Sequence, residues 1–544
     1  MGNMAMRNIL FYNPVNIEVF KHLFASVAEE MGSTLRKTSF SANIKERRDF
    51  SCAIFNPSGQ MVAQAAHIPV HLGSMPLSVI SAIKEFSDPA DPLRPGDMII
   101  LNDPFLGGTH LPDITLVAPV FLENDSSAPF GFVASRAHHA DIGGMTPGSM
   151  PVSREIFQEG LIIPPLRFLR SGSVDSSVLK LITANVRTPV ERKGDLFAQV
   201  GANLRGISRF HDIINRFGSD LVRQYMDHLI TYAEQMTRKL IASLPDGAYR
   251  FTDYLDDDGF STEPIPITAT ITLQSDHAVV DFTGSAPQQT GSINAVYAIT
   301  VSAVYYVFRC LIGLDVPNNS GCLKPIQVIA PEGSVVNARQ PAAVAGGNVE
   351  TSQRIVDVLL GALAQVCPER IPAASQGTMN NLTIGGWDDK KHQYFTYYET
   401  IGGGTGAQDS APGQAAVHSH MTNTLNTPIE AIEYTYPLRI THYGIRQGSG
   451  GIGRRPGGDG IRREIQVLNK CQVTVLSERR KFAPYGLSGG GNGACGKNLL
   501  IRHGEAIELD GKGSYFLNQG DILSIQTPGG GGYGAPDAPQ NTQS

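Results

Sequence analysis

Cysteine is scarce and scattered in this 544-residue chain. Its six cysteines form no C-x-x-C pair, so the sequence predicts neither a disulfide framework nor a thiolate zinc site, and a reducing cytoplasm is expected. The opening residues, MGNMAMRNILFYNP, lack a charged segment followed by an apolar one, and Met6 stands where a myristoylation signal requires serine or threonine. We therefore expect no export signal and no lipid anchor.

Charge is also sparse, and no apolar run is long enough for a membrane. Charged residues make up 17% of the chain and the net charge is −6, which leaves no basic field for a nucleic-acid backbone. The longest apolar run, residues 295–308, contains Thr300 and Ser302 and is shorter than the roughly 20 residues that span a bilayer. We expect neither nucleic acid nor a membrane as a partner, and we interpret this run as a core segment.

Two common catalytic motifs are missing from the sequence. No glycine-rich stretch ends in the GK[ST] of a phosphate-binding loop, and none has the flanking features of a dinucleotide fingerprint. No Gly-x-Ser-x-Gly elbow supports a serine hydrolase. Glycine itself is abundant, with 58 residues that are densest after residue 402. We interpret these clusters as turns and close backbone contacts, and not as a nucleotide site.

The length of the chain predicts several domains, because single hydrophobic cores rarely grow past about 250–300 residues. We expect an α+β fold with mixed and antiparallel sheets, long helices, and a β-rich, glycine-turn-rich C-terminal part. Changes in pattern place soft boundaries near residues 246 and 437. These boundaries predict a metal-site domain (1–245), a central α+β domain (246–436) and a β-rich C-terminal domain (437–544).

Local patterns predict several individual elements. Asn13 followed by Pro14 is typical of a helix start, and apolar residues at helical spacing continue to about residue 36. Alternating or apolar runs bounded by turn residues predict strands, and the segment NVETSQRIVDVLLGALAQVC predicts a helix that Pro368 ends. The other predicted elements are a hairpin (51–55 and 60–66), a helix near 74–87, a strand (98–101), a helix from Ser219 to Pro245, and strands within 250–345.

Two apolar runs, residues 114–121 and 130–137, flank a polar turn and are predicted to pair as antiparallel strands. If the turn is symmetric, Asp113 lies directly opposite His138, where Cβ atoms are about 5 Å apart. A slip of one residue would present His139 instead, because side chains alternate between the two faces of a strand.

This pairing brings together the densest group of chemically active residues in the sequence. His110 and Asp113 are three residues apart in GGTHLPD, and AHHAD adds His138, His139 and Asp141. A His-x-x-Asp loop alone is more often a solvated turn. The predicted pairing, the flexible glycines before His110 and the density of the cluster favour a metal site, and mixed nitrogen and oxygen ligands suit zinc, manganese or iron.

Three further polar residues are ambiguous from the pattern alone. Asp49 precedes a predicted strand, and the pattern favours a carboxylate paired with one of the two arginines just before it. His67 and His71 are four residues apart, but Pro69 between them predicts an extended loop. They are either structural or candidates for proton transfer, because an imidazole titrates near neutral pH.

The sequence resembles the hydantoinase B family, which includes the B half of 5-oxoprolinases and the related large subunits of acetone and acetophenone carboxylases. The matching stretches occur in family order and span nearly the whole chain. They are RRDFSCAIF, QAAHIPVHLGSM, GDMIILNDPFLGGTHLPDITLVAPVF, RAHHADIGGMTPGSMP, GGNVETSQRIVDVLLGAL, GGGTGAQDS, HMTNTLNTPIEAIE and GGDGIRREI.

The resemblance implies one divalent transition metal, with zinc expected before manganese or iron. Its ligands would be Asp49, His110, Asp113 and His138. The resemblance also implies a hydantoinase A-type partner subunit with an actin-like ATPase fold, which binds ATP, in a hetero-oligomer such as (αβ)2.

Two chemistries share this family's scaffold. We favour ATP-dependent opening of a small cyclic amide, with His67 and His71 as the proton-transfer candidates. The alternatives are the large subunit of an ATP-dependent ketone carboxylase and a non-catalytic scaffold subunit.

Overall fold

A long amphipathic helix opens the part of the chain that the structure, a computed structural model, describes: residues 13–65, 67–313 and 315–536. This helix, α1 (Pro14–Thr38), begins as predicted, because the Asn13 side chain accepts a hydrogen bond from the Val15 N–H and proline occupies the first turn. Its apolar face, which includes Phe20 and Phe24, is buried. The face therefore anchors α1 to the first sheet.

The first sheet has seven strands and is antiparallel throughout. Its elements confirm the predicted hairpin, the strand at 98–101 and the pairing of 114–121 with 130–137. The strand order is β2-β1-β5-β4-β3-β6-β7. In chain order the segment contains α2 (Ala42–Lys45), β1 (Phe50–Phe55), β2 (Met61–Gln64), α3 (Ser74–Glu85), β3 (Met98–Leu101), β4 (Asp113–Val120), β5 (Gly131–His138), β6 (Leu166–Arg170) and β7 (Ser173–Val174).

Helices cover both faces of this sheet. Three helices follow it: α4 (Ser176–Ala184), α5 (Pro189–Phe217) and α6 (Ser219–Ala242). Gln199 of α5 donates to the Ile114 and Ser135 carbonyls from one side, whereas Arg136 reaches the hydroxyls of Ser74 and Ser78 in α3 on the other. Helix α6 begins at the predicted residue, but the sequence analysis did not identify α4 or α5.

A four-stranded sheet follows, in the order β11-β10-β9-β8. Its strands are β8 (Gly247–Leu255), β9 (Ile265–Gln274), β10 (His277–Asp281) and β11 (Ile326–Ile329), and the last two are parallel. The crossover between them contains α7 (Tyr297–Ile312), which the sequence analysis identified only as an apolar core segment. One π-helical turn, Gly347–Thr351, precedes α8 (Ser352–Leu363), where the sequence predicts a single continuous helix.

Two more sheets complete the described chain. One has the order β13-β12-β16-β19 and the other β14-β15-β20-β17-β18. Between them, glycine-rich segments pack backbone to backbone: a Cβ on Gly404 would lie 1.9 Å from the Gly458 carbonyl oxygen. The elements are β12 (Asn381–Asp388), β13 (Gln393–Glu399), α9 (Ile429–Thr435), β14 (Leu438–Arg446), β15 (Gly460–Val467), β16 (Cys471–Leu476), β17 (Lys497–Arg502), β18 (Glu505–Leu509), β19 (Lys512–Leu517) and β20 (Ile522–Gln526).

The fold is thus of the α+β class with several antiparallel sheets, as predicted. The boundaries near residues 246 and 437 stay predictions. The largest cluster of buried apolar side chains includes residues on both sides of 246, and β12 pairs with β16 across 437. In the described ranges, no helix is both long and apolar enough to cross a lipid bilayer.

Candidate metal centre

Three acidic or histidine residues lie in a row across neighbouring strands at one end of the first sheet. Asp113 at the start of β4 pairs with His138 at the end of β5, as the strand arithmetic predicts. On the other side of β5, the His138 N–H donates to the Asp49 carbonyl oxygen at 3.0 Å, one residue beyond the Phe50–Ala137 pair. Directly opposed residues share a face of a sheet, so the three side chains lie side by side.

His110 completes a compact triangle of ligand atoms. Its Nε2 lies 3.2 Å from Asp113 Oδ1 and 3.2 Å from His138 Nδ1, and the two latter atoms are 3.4 Å apart. Zinc–nitrogen bonds of about 2.0–2.1 Å in a tetrahedron place ligand atoms about 3.3 Å apart, so the triangle matches one face of such a site. All three residues are at most 2% exposed.

The loop that carries His110 is held rigidly by glycine and asparagine. Gly107 has a φ of +91°, and a Cβ there would lie 2.5 Å from the Leu77 backbone, so only glycine fits. The Asn102 side chain donates to the Leu111 carbonyl at 2.8 Å. These contacts fix the position from which the His110 ring enters the site.

The second carboxylate oxygen of Asp113 is held by two other residues. Thr109 donates to Oδ2 at 2.5 Å, and His71 Nε2 lies 3.3 Å from the same atom. The other ring nitrogen of His71 lies 2.9 Å from Ser51 Oγ. Such partners orient a metal-ligating carboxylate and leave Oδ1 free for an ion.

His71 reaches this position because Pro69 begins a single 3₁₀ turn, Pro69–His71. The extended loop predicted for this segment was therefore wrong. The fixed φ of proline suits the first position of a helical turn as well as it suits extended backbone.

The surroundings of Asp113 and His138 shift the pKa values of these two groups toward the forms that bind metal ions. Burial alone would raise the pKa of Asp113, but the neighbouring His110, His138 and His71 hold it well below its usual range. Burial lowers the pKa of His138 and of His71. An ionised carboxylate beside neutral imidazoles is the state that ligation requires.

Asp49 lines the same chamber, but it is not part of the compact group of ligand atoms formed by His110, Asp113 and His138. Its Oδ2 lies 3.7 Å from the fully buried Arg47 guanidinium, and its side chain lines the chamber beside Asp113 and His138. Burial raises the pKa of Asp49, while His138 and Arg47 oppose that shift. The contact with Arg47 fits the carboxylate–arginine pairing, and a ligand role for Asp49 stays a prediction.

Tyr398 of β13 was missed by the sequence analysis. Its ring stacks on the His138 imidazole with centroids 4.3 Å apart and an interplanar angle of 11°, and the Arg47 guanidinium covers it at 4.9 Å. Its hydroxyl donates to Asn381 Oδ1 at 2.9 Å. No local pattern around residue 398 indicates this role, because the contact depends on how two distant sheets pack.

The remaining sequence candidates lie elsewhere. His67 Nδ1 accepts from the Cys52 N–H at 3.2 Å, and the residue lines a different pocket from the ligand cluster. His139 faces α5, where its Nε2 lies 2.9 Å from Gln199 Oε1. Asp141 forms an ion pair of 2.8 Å with Arg187. Of the two adjacent histidines, it is therefore His138 whose ring contacts Asp113.

The chamber at the ligand cluster is small and adjoins a larger groove. Its volume is about 20 Å³, little more than one water molecule needs. Thr422 and Thr424 line both this chamber and a neighbouring groove of about 850 Å³. The groove is large enough for a small molecule and shares these two threonines with the chamber.

Sequence comparison shows the family of the chain. The hydantoinase B/oxoprolinase family matches residues 13–536. The chain belongs to this family.

Relatives of this hydantoinase B/oxoprolinase chain differ in length. An uncharacterized protein of Methanocaldococcus jannaschii is 42% identical over 523 residues, which cover 96% of this chain and 91% of that one. The 5-oxoprolinase 1 of Arabidopsis thaliana is 42% identical over 549 residues, but this chain spans only 42% of its length. A putative D-/L-hydantoinase subunit of a Pseudomonas species is 33% identical over 544 residues, with coverage of 96% and 90%.

Solved structures share the fold of this hydantoinase B/oxoprolinase chain. The ATP-dependent caprolactamase from Pseudomonas jessenii superposes with a TM-score of 0.89 at 28% identity, covering 96% of this chain and 92% of that one. An acetone carboxylase superposes with a TM-score of 0.88 over 96% of this chain and 76% of that one. Its 18% identity shows a common fold alone.

Proposed function

We propose that this chain is the metal-bearing subunit of an ATP-dependent cyclic-amide hydrolase, which opens the ring of a small amide together with an ATPase partner. The ligand triangle of His110 Nε2, Asp113 Oδ1 and His138 Nδ1 carries the proposal, because three buried ligand atoms converge within 3.2–3.4 Å. The named activities of the 5-oxoprolinase and caprolactamase relatives support ring-amide chemistry.

The donor set fits one divalent transition metal, zinc before manganese or iron. Two imidazole nitrogens and one carboxylate oxygen in a buried cluster are the mixed nitrogen and oxygen donors that these ions prefer. When bound, such an ion supplies Lewis acidity toward a carbonyl oxygen. We assign Asp49 as the fourth ligand because it lines the same chamber.

The chain's own residues then hold and orient the reacting groups. Asp113 would hold the ion through Oδ1, while Thr109 and His71 fix Oδ2. His71 also contacts Ser51 Oγ and lines the chamber, where its imidazole can exchange a proton with a bound group. His71 is thereby better placed for proton transfer than His67, which lines a separate pocket. The narrow chamber limits the water that reaches an activated amide.

An ATPase partner is part of the proposal because this sequence has no GK[ST] phosphate-binding loop. The Pseudomonas relative is named as one subunit of a hydantoinase, and this chain spans only 42% of the Arabidopsis 5-oxoprolinase. Both facts support a function divided between two polypeptides or two halves of one. We expect a cytoplasmic hetero-oligomer such as (αβ)2.

Metal analysis of the purified chain tests the site directly. We expect about one equivalent of zinc, manganese or iron in the wild type and a large loss of affinity in His138→Gln. His139→Gln is the matched control, because this neighbouring buried histidine contacts Gln199 on the opposite face and should leave metal content unchanged. Stoichiometric, equally tight metal in His138→Gln would refute the assignment.

Activity measurements test the division of labour. The chain alone should show no ATP-dependent turnover, and mixing it with a hydantoinase A-type ATPase should restore ring opening. Asp113→Asn should reduce that turnover by orders of magnitude, whereas unchanged turnover would favour a scaffold role. Incorporation of labelled bicarbonate into a ketone, without ring opening, would instead identify a carboxylase.

A further inference from the structure

Asn348 places a carboxamide without a partner at the wall of the ligand chamber. The residue is 4% exposed, and its Oδ1 is buried without a hydrogen-bond partner within the described ranges. It lines the chamber together with Asp113 and His138. An unpaired buried amide oxygen costs free energy, so it calls for a ligand that can satisfy it.

The backbone that carries Asn348 is firmly held. The residue lies in the π-helical turn Gly347–Thr351, a local geometry that is frequent at functional sites. A Cβ on Gly347 would lie 1.9 Å from the Asn294 carbonyl oxygen, and the Ser352 hydroxyl donates to the Asn348 carbonyl at 2.7 Å. Glu350, on the same turn, accepts from the Met379 N–H at 2.9 Å. The carboxamide is therefore presented from a fixed position.

A carboxamide matches the edge of a ring amide. Open-chain secondary amides are almost always trans, with the N–H and C=O on opposite sides, whereas closure of a small ring forces them onto the same side. An asparagine side chain has one donor and one acceptor that can face the same way. It can therefore form two parallel hydrogen bonds with a cis amide, but not with a trans amide.

We infer that Asn348 recognises the cis-amide edge of the substrate: Nδ2 donates to the ring carbonyl, and Oδ1 accepts from the ring N–H. This inference rests on the proposed function. The oxygen of the ring carbonyl accepts one hydrogen bond from Nδ2, so its second lone pair remains available toward Asp113 and His138. Because the chamber itself holds little more than a water molecule, the body of the ring remains on the groove side of Thr422 and Thr424. Asn348 thus selects the amide, and the groove selects the rest of the ring.

Paired lactams test this assignment on the metal-loaded, full-length chain and on the complex with its ATPase partner. We would measure binding and turnover of 2-pyrrolidinone and of N-methyl-2-pyrrolidinone, which lacks the N–H. Loss of the N–H that donates to Oδ1 leaves this oxygen buried without a partner, which predicts a preference of roughly 5- to 150-fold for the unsubstituted lactam. In Asn348→Leu, which keeps the side-chain size, this preference should fall to within a few-fold of unity.

Asn318→Leu is the matched control, because Asn318 also has a buried Oδ1 without a partner in the described structure but does not line the chamber. It should keep the wild-type preference. Metal content and the thermal midpoint are measured for both variants to separate recognition from ligation or folding.

The outcomes distinguish the inference from the proposed function. Turnover of both lactams by the wild type without preference would refute the role of Asn348, whatever its variants do. A full preference retained in Asn348→Leu, or loss of metal from it, would also refute substrate recognition. No binding and no ring opening of any lactam would refute the proposed function itself.

Discussion

At the scale of single residues, Tyr398 stacks on His138, one of the proposed metal ligands. Its ring contacts both the His138 imidazole and the Arg47 guanidinium, and its hydroxyl donates to Asn381. The contact comes from β13, so the imidazole is oriented by a different sheet from the one that carries it. Residues that orient ligands in this way typically change metal affinity by 10- to 100-fold.

Substitution of Tyr398 tests this role. Tyr398→Phe keeps the stacked ring and should bind zinc with an affinity within a few-fold of the wild type. Tyr398→Leu loses the stack and should bind about 10- to 100-fold more weakly. Competition with a chromophoric chelator measures both constants. Equal affinities for the two variants would show that the stack does not position His138.

Glu159 makes the stability of the chain depend on pH. Burial raises the pKa of its carboxyl from 4.5 to about 7, although the Val344 and Ala345 N–H groups and the Ser153 hydroxyl donate to it. Because the pKa of Glu159 is higher in the folded chain than in the unfolded chain, its protonated form stabilises the fold. This contribution is fully present below the pKa of the unfolded chain. It is then lost as the pH rises from about 4.5 through about 7.

Glu159→Gln should remove this dependence, because glutamine keeps an acceptor oxygen but does not ionise. Between pH 5 and pH 8 the wild type should lose about 3 kcal/mol relative to this variant. Unfolding midpoints at the two pH values measure the difference, and Glu263→Gln, an exposed site, serves as control. Parallel pH profiles for wild type and Glu159→Gln would contradict the prediction.

At the scale of elements, the π-helical turn depends on a glycine. A Cβ on Gly347 would meet the Asn294 carbonyl oxygen at 1.9 Å, and this backbone atom cannot move aside cheaply. Gly347→Ala should therefore destabilise the chain by roughly 1–3 kcal/mol. Gly201→Ala in α5 is the control: nothing lies within 4 Å of its Cβ, so it should stabilise by about 0.5–1 kcal/mol. Equal midpoints for both variants would show that the turn tolerates a side chain.

At the level of elements, the sequence predicted strands well where apolar runs are bounded by turn residues. The β4–β5 pairing followed from two apolar runs around one turn, and it placed Asp113 opposite His138. The neighbouring position of β1 could not be predicted this way, because adjacency of non-consecutive strands depends on packing. Only the family resemblance therefore singled out Asp49.

Helices α5 and α7 were not predicted from the sequence, for opposite reasons. α7 is buried on almost every side, so its apolar residues show no helical period that distinguishes it from a buried strand. α5 has apolar residues at helical spacing, such as Leu196, Val200 and Phe210, but glycine and charged residues interrupt them. The missed signal in α5 was therefore present in the sequence, whereas that of α7 was not.

At the scale of the whole molecule, the chamber joins parts that are distant in sequence. Asp113 and His138 belong to the first sheet, Asn348 to the turn before α8, and Tyr398 to the third sheet. An ion bound at this junction stabilises the folded chain by about 2.7 kcal/mol at a free concentration 100 times its dissociation constant.

Removal of the ion should therefore lower the thermal midpoint of the entire chain. We expect a chelator to lower the midpoint of the wild type, and added zinc to restore it. His138→Gln should respond to neither treatment, while His139→Gln should behave as the wild type. The same response in His138→Gln would place the stabilising ion elsewhere. Scanning calorimetry makes the comparison.

The row formed by Asp49, His138 and Asp113 has a consequence for which ions the proposed site would prefer. Hydrogen bonds between β4, β5 and the residue before β1 set the spacing of these ligands, much as a ring of covalent bonds sets the donors of a macrocyclic chelator. A donor set with a fixed bite loses little entropy when it closes on an ion. Because the protein fixes the ligand spacing, ions of different radius should bind in similar ligand geometries. Their affinities should therefore differ strongly.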